Sequence, residues 1–109
     1  MRPQLTWEDV VAIRARRHRL HERAPREAML DVVSELVGLH AQVMSSAELT
    51  LWARVDGLEP DAVQRALWEE RSLVKLWAMR GTLHLAAARE YALWRDALST
   101  YGHWRRPSW

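Results

Sequence analysis

The feature that most restricts the fold of this 109-residue chain is a change of apolar period at residue 73. Before it, apolar side chains recur at helical spacing. Met29, Val32, Val33 and Leu36 follow the i, i+3, i+4, i+7 pattern in a helix expected over about 26–39, opened by Pro25. A second helix is expected at about 46–55, with Ser45 and Glu48 as a capping box and Leu49, Trp52 and Ala53 inward. Asp56-Gly57 ends it. A third, about 60–71, starts at Pro60 and turns Val63, Ala66 and Leu67 inward. From Leu73 the spacing becomes that of strands: Leu73 to Met79, a tight turn at Arg80-Gly81, and a partner from Thr82 to Ala86. Three helices followed at once by a hairpin is the order of a winged helix-turn-helix, so the fold class is mainly α with a small β-hairpin. The helix before the wing normally enters the DNA major groove. Here it presents Asp61, Gln64, Arg65, Trp68, Glu69 and Arg71, a mixed set that supports ordinary base readout only weakly.

This winged unit spans 26–86, with the wing at 73–86, and is flanked on both sides. Residues 1–25 form an Arg-rich helical segment that begins at Thr6, where Thr6 and Asp9 have the spacing of a capping box and Trp7, Val10 and Val11 share a face. From Arg14 to Arg26 six arginines stand against one acid, Glu22, a balance of +5. Such a cluster is either a solvated helix end or a phosphate-contacting patch formed by Arg14, Arg16, Arg17 and Arg19. Residues 87–109 hold a last helix, about 87–98, with Tyr91, Trp94 and Leu98 on one side. A tail without period follows, ending in Arg105-Arg106-Pro107-Ser108-Trp109. That ending reads as a cut, and the chain is expected to be the N-terminal part of a longer protein.

Composition excludes several classes. The chain is 49% hydrophobic and 28% charged, enough to bury a core and too apolar for general disorder. It has no Cys, so a disulfide scaffold, a Cys-based zinc site and a thiol nucleophile are excluded. No apolar run approaches the ~18 residues of a membrane span, and the start lacks a signal peptide's apolar stretch, so the cytoplasm is the expected compartment. Of 16 basic residues only Lys75 is lysine; the arginine bias suits phosphate and base-edge contacts, or reflects base composition alone. There are seven Trp and no Phe. Trp7, Trp52, Trp68 and Trp77 read as core, whereas Trp104 and Trp109 sit in the tail. His18 and His21 have spacing for a shared metal but no third ligand nearby, so no metal site is expected. No Gly-rich phosphate loop, Ser-His-Asp set or HExxH motif is present.

One short stretch holds candidate chemistry. In Gly38-Leu39-His40-Ala41-Gln42, two polar side chains flank a small one in a link after an apolar helix. If the link is extended, His40 and Gln42 point the same way and can hold one water or one polar ligand atom. The alternative is a core histidine beside a capping amide. On the second wing strand, Thr82 and His84 also share a face; His84 is either a packing histidine or a DNA contact.

The stretches 38–47 (Gly-Leu-His-Ala-Gln-Val-Met-Ser-Ser-Ala), 51–54 (Leu-Trp-Ala-Arg) and 73–85 (through Arg80-Gly81-Thr82-Leu83-His84) resemble the AlkZ/YcaQ-like family of winged-helix DNA glycosylases. The resemblance covers nearly the whole chain, and the wing and the Gln-bearing link are its most specific parts. It implies an enzyme that hydrolyses the N-glycosidic bond of N7-alkylated purines and unhooks interstrand crosslinks. It also implies tandem winged-helix units plus a β-barrel, duplex DNA as partner, a monomer, no cofactor and no membrane. The family's catalytic pattern, Gln, a spacer, then Gln or Asp, falls on His40 and Gln42, with His in place of the usual Gln. Arg54, Arg80, Thr82 and His84 join the arginine cluster as expected DNA contacts. A protonated His40 would repel a cationic lesion, so activity is expected to fall in acid. Two further readings stay open: a non-catalytic DNA-binding module or regulator, and a helical interaction domain.

Overall fold

A computed structural model describes residues 1–100 and 102; Trp104, Arg105, Arg106 and Trp109 of the tail lie outside them. The elements run α1 (Trp7–Arg17), a 3-10 turn at Arg26–Ala28 leading into α2 (Met29–Glu35), β1 (Leu39–His40), α3 (Met44–Trp52), α4 (Ala62–Trp68), β2 (Leu73–Trp77), a 3-10 turn at Met79–Gly81, β3 (Leu83–Ala87), and a third 3-10 turn at Ala88–Glu90 leading into α5 (Tyr91–Leu98). The molecule is mainly helical with one small antiparallel sheet, in the expected order of helices and wing.

The core is built from small and medium side chains. Val32 and Val33 of α2, Ala47 and Leu51 of α3, Val63 and Ala66 of α4, and Leu39, Leu73 and Leu85 of the sheet are buried together. Among the described residues, Trp7 is 79% exposed, Trp68 73% and Trp77 56%, so reading these three as core is wrong. Short helices packed on a small sheet close around Leu, Val and Ala and leave no volume for them. Likewise α1 buries none of its residues.

Helix ends account for most departures from the expected bounds. The 26–39 helix stops at Glu35 because the chain turns left-handed at Val37 (φ 58°) and Gly38 (φ 85°). There Gly38 N–H donates to Val33 O and Val37 N–H to Ser34 O, both at 3.0 Å, the bonding of a Schellman motif. That turn releases Leu39 to pair with Leu85, and His40 with His84. The expected hairpin is therefore a three-stranded sheet of order β1-β3-β2. At α3 the expected capping box does not form. Val43 is the N-cap, and the Glu48 carboxylate instead accepts a bond from Gln64 Nε2 at 3.0 Å. The core takes a different face of α3 from the one expected: Ala47 and Leu51 are buried, Ala53 is exposed and Leu49 is 59% exposed. By contrast the box at Thr6 and Asp9 is formed as expected. It holds the Asp9 carboxyl below its usual range, chiefly through the bond from the Thr6 backbone.

The wing turn is longer than two residues. Met79–Gly81 forms a 3-10 turn with Arg80 at φ 57° and Gly81 at φ 70°. Arg80 thus occupies left-handed backbone, where glycine or asparagine is the cheaper residue.

Candidate functional site

Strand β1 is what places His40 and Gln42. Leu39 and Ala41 are buried while His40 and Gln42 are exposed, so the extended backbone alternates and sets both polar residues on one side. The pairing continues past the strand: Ala41 N–H donates to Leu83 O at 2.8 Å. The Gln42 side chain turns back to the same residue, its Oε1 accepting from Leu83 N–H at 3.2 Å. Gln42 is therefore held by the wing it leans on. Its Oε1 keeps a second lone pair, and its Nε2 keeps both protons.

His40 is held by a ring contact. Its imidazole meets that of His84 edge-to-face, with centroids 5.3 Å apart and planes at 88°. The two are direct cross-strand partners, which accounts for their meeting. His84 is only 6% exposed. Its Nδ1 lies 3.0 Å from Thr82 O. A carbonyl only accepts, so Nδ1 carries the proton and the ring is fixed by the backbone of its own strand. Thr82 Oγ1 in turn donates to Met79 O at 2.9 Å.

The cations sort into two groups. Arg19 forms a bidentate pair with Glu35, Nε–Oε2 2.7 Å and Nη2–Oε1 2.8 Å. That pair raises the Arg19 guanidinium and holds the Glu35 carboxyl below its usual range, chiefly through the hydrogen bond between them. Arg54 donates to His18 O and Thr50 O, tying the segment after α1 to α3. Arg23, Arg26, Arg65, Arg89 and Arg95 each face an acid. Among the described residues, Arg14, Arg16, Arg17 and Arg80 make no such bond. The expected DNA contacts thus have different surroundings: among the described residues Arg14, Arg16, Arg17 and Arg80 make no ion pair or side-chain hydrogen bond, whereas Arg19, Arg54 and His84 are bonded within the protein. No cluster of three or more His, Asp or Glu suited to a metal occurs among the described residues, His18 and His21 included. No helix there is long and apolar enough to cross a membrane.

Comparison with known proteins bears on what this geometry serves. Residues 33–109, which contain β1, the wing and α5, match the family of AlkZ-like DNA glycosylases. The chain belongs to this family. It is similar to an interstrand DNA cross-link repair glycosylase of Streptomyces sahachiroi, 39% identical over 104 residues. That match takes in 95% of this chain and 28% of the relative. In three dimensions it resembles the solved Streptomyces sahachiroi DNA glycosylase AlkZ with a TM-score of 0.82 and 37% identity, covering 98% of this chain and 28% of that one. The chain thus spans little more than a quarter of the length of these AlkZ-like relatives and corresponds to their N-terminal part.

Several features of the site were beyond sequence reasoning. The His40–His84 contact and the Gln42–Leu83 bond both depend on β1, and a two-residue strand has no periodic signature. The one available signal was the alternation of Leu39, His40, Ala41 and Gln42.

Proposed function

We propose that this chain is the N-terminal winged-helix unit of a monofunctional DNA glycosylase that hydrolyses the N-glycosidic bond of N7-alkylated purines and unhooks interstrand crosslinks. His40 and Gln42 are its catalytic pair. The observation that carries the reading is their joint exposure beside one strand, each held from behind, His40 by His84 and Gln42 by Leu83 N–H. Side chains held in place in this way can position a water at little entropic cost.

The chemistry asks little of them. An N7-alkylguanine is cationic, so its glycosidic bond is already weak. As the C1′–N9 bond breaks, its electron pair moves to the purine and cancels the positive charge, leaving an oxocarbenium ion at the sugar. Water adds to C1′ and gives up a proton. Neutral His40 accepts the hydrogen bond and the proton, and the Gln42 amide orients the water. Lys75 lies on β2, away from this pair, so a covalent lysine intermediate has no part in the scheme. DNA is held by Arg14, Arg16, Arg17 and Arg80 through its phosphates.

The test is product analysis with the longer protein that carries this chain. Duplex DNA containing N7-methylguanine should yield free base and an abasic site in an intact strand. Strand cleavage coupled to base release, or no release with the fold intact, would speak against the reading. The competing account, a non-catalytic DNA-binding module, draws on the lone pair that Gln42 already spends on Leu83 N–H.

A further inference from the structure

On the opposite edge of the sheet from β1, a groove of about 370 Å³ runs between α4 and β2, lined by Leu67, Trp68, Arg71, Leu73, Val74 and Lys75. Three features set it apart from an ordinary surface crease. Trp68 is 73% exposed, yet its ring is tethered: Nε1–H donates to Gln64 Oε1 at 3.1 Å, and Gln64 Nε2 donates to Glu48 Oε1 at 3.0 Å. The polar edge of the indole is thereby satisfied and its faces stay bare. Arg71 is a non-glycine residue at φ 55°, a backbone state where an L side chain costs stability. Among the described residues, Arg71 and Lys75 make no ion pair or side-chain hydrogen bond, unlike seven arginines elsewhere that are paired or bonded to the backbone. Lys75 and the 56% exposed Trp77 share a face of β2 by strand alternation. Indoles and cations therefore interleave along this edge.

We propose that this groove binds a single-stranded, unstacked stretch of DNA, with Trp68 stacking on a base and Arg71 and Lys75 holding the flanking phosphates. A held indole face beside free cations is the combination that takes single strands, because a base inside a duplex has no face to offer. Glu69 and Glu70 precede Arg71 and temper the field. Glu70, however, lines a separate groove with Arg26 and Glu59, so it does not share this one. The site stands apart from His40 and Gln42 and does not depend on their role.

The experiment compares this chain's affinity for a labelled oligo-dT single strand and for a sugar-phosphate strand of the same length without bases. The oligo-dT should bind about tenfold more tightly, the worth of one stacked base. Trp68→Leu should erase that difference and Trp68→Phe should keep most of it. Arg71→Ala with Lys75→Ala should make the salt dependence shallower by about 0.7 in log–log slope for every phosphate left without its cation. Because Trp68 is exposed, melting curves of these variants should stay near wild type. Equal affinity for the two strands, or unchanged binding by Trp68→Leu, overturns the proposal. So does shielding of Trp68 from a soluble quencher in a longer, DNA-free protein, since protein would then fill the groove. Substitutions at His40 or Gln42 should leave oligo-dT binding unchanged, so failure here and failure of the glycosylase reading are told apart.

Discussion

At the scale of single residues, the structure turns on which polar groups are spent and which are left free. Arg19 has the same sequence context as Arg14, Arg16 and Arg17, a run of cations with few acids, and nothing in that run sets it apart. Only the fold brings it to Glu35, sixteen residues on. His84 was legible as a choice between packing and contact, and its burial is set only by the fold. The Arg19–Glu35 pair carries a pH consequence. The Glu35 carboxyl is depressed by the hydrogen bond from Arg19. A depressed carboxyl contributes stability above its unfolded pKa and loses it as pH falls through the folded one. Denaturation curves followed from neutral pH into acid should therefore show a loss below the usual carboxylate range. Glu35→Gln should flatten that limb; an identical acid profile in the variant would show that the pair contributes nothing. The pair is half exposed, so the effect is small and screened by salt.

At the scale of elements, the helical periods and the wing were readable from spacing, because α2, α4 and the β2–β3 hairpin bury the residues their periodicity marks. Helix ends were not readable. Val37 is a β-branched residue, the kind least expected in left-handed backbone, so nothing in Val37-Gly38 announced that the turn begins one residue before the glycine. Strand β1 was invisible for a related reason: it exists only because β3 offers it a partner. The same turn yields a paired prediction. Val37→Gly removes the strained side chain and should raise stability by about 0.5–1 kcal/mol, net of glycine's entropy cost in the unfolded chain. Gly38→Ala should do the opposite. At φ +85° a Cβ would be strained, and it would lie 3.2 Å from Leu85 O and 3.3 Å from Trp94 Cζ2. A loss of about 1–3 kcal/mol is expected, with weaker amide protection at Leu39 and Ala41. Chemical denaturation and hydrogen exchange of the two variants check both signs.

At the scale of the whole molecule, a Leu, Val and Ala core leaves large aromatic side chains and unpaired arginines outside. Counting aromatic residues could not show this, since the same Trp-rich composition would suit a Trp-filled core equally well. The chain accounts for 28% of the length of its AlkZ-like relatives, and among the described residues its unpaired cations include Arg14, Arg16 and Arg17 at the end of α1, Arg71 before β2, Lys75 on β2 and Arg80 in the wing turn. Duplex binding should accordingly be weak, indifferent to sequence and steeply dependent on salt. Replacing Arg14, Arg16 and Arg17 with Ala should make the log–log slope shallower by about 0.9 for each phosphate no longer neutralised, and an unchanged slope would take the end of α1 out of the interface. Hydrolysis by His40 and Gln42 is read out by single-turnover release of N7-methylguanine from duplex DNA. The measurement uses this chain extended to the length of its AlkZ-like relatives, with melting temperatures taken in parallel. Gln42→Ala should slow release on the order of 10²-fold or more, His40→Ala should also slow it, and His40→Gln should retain substantial activity, all three with melting temperatures near wild type. Full-rate release by Gln42→Ala with its fold intact would take Gln42 out of the chemistry.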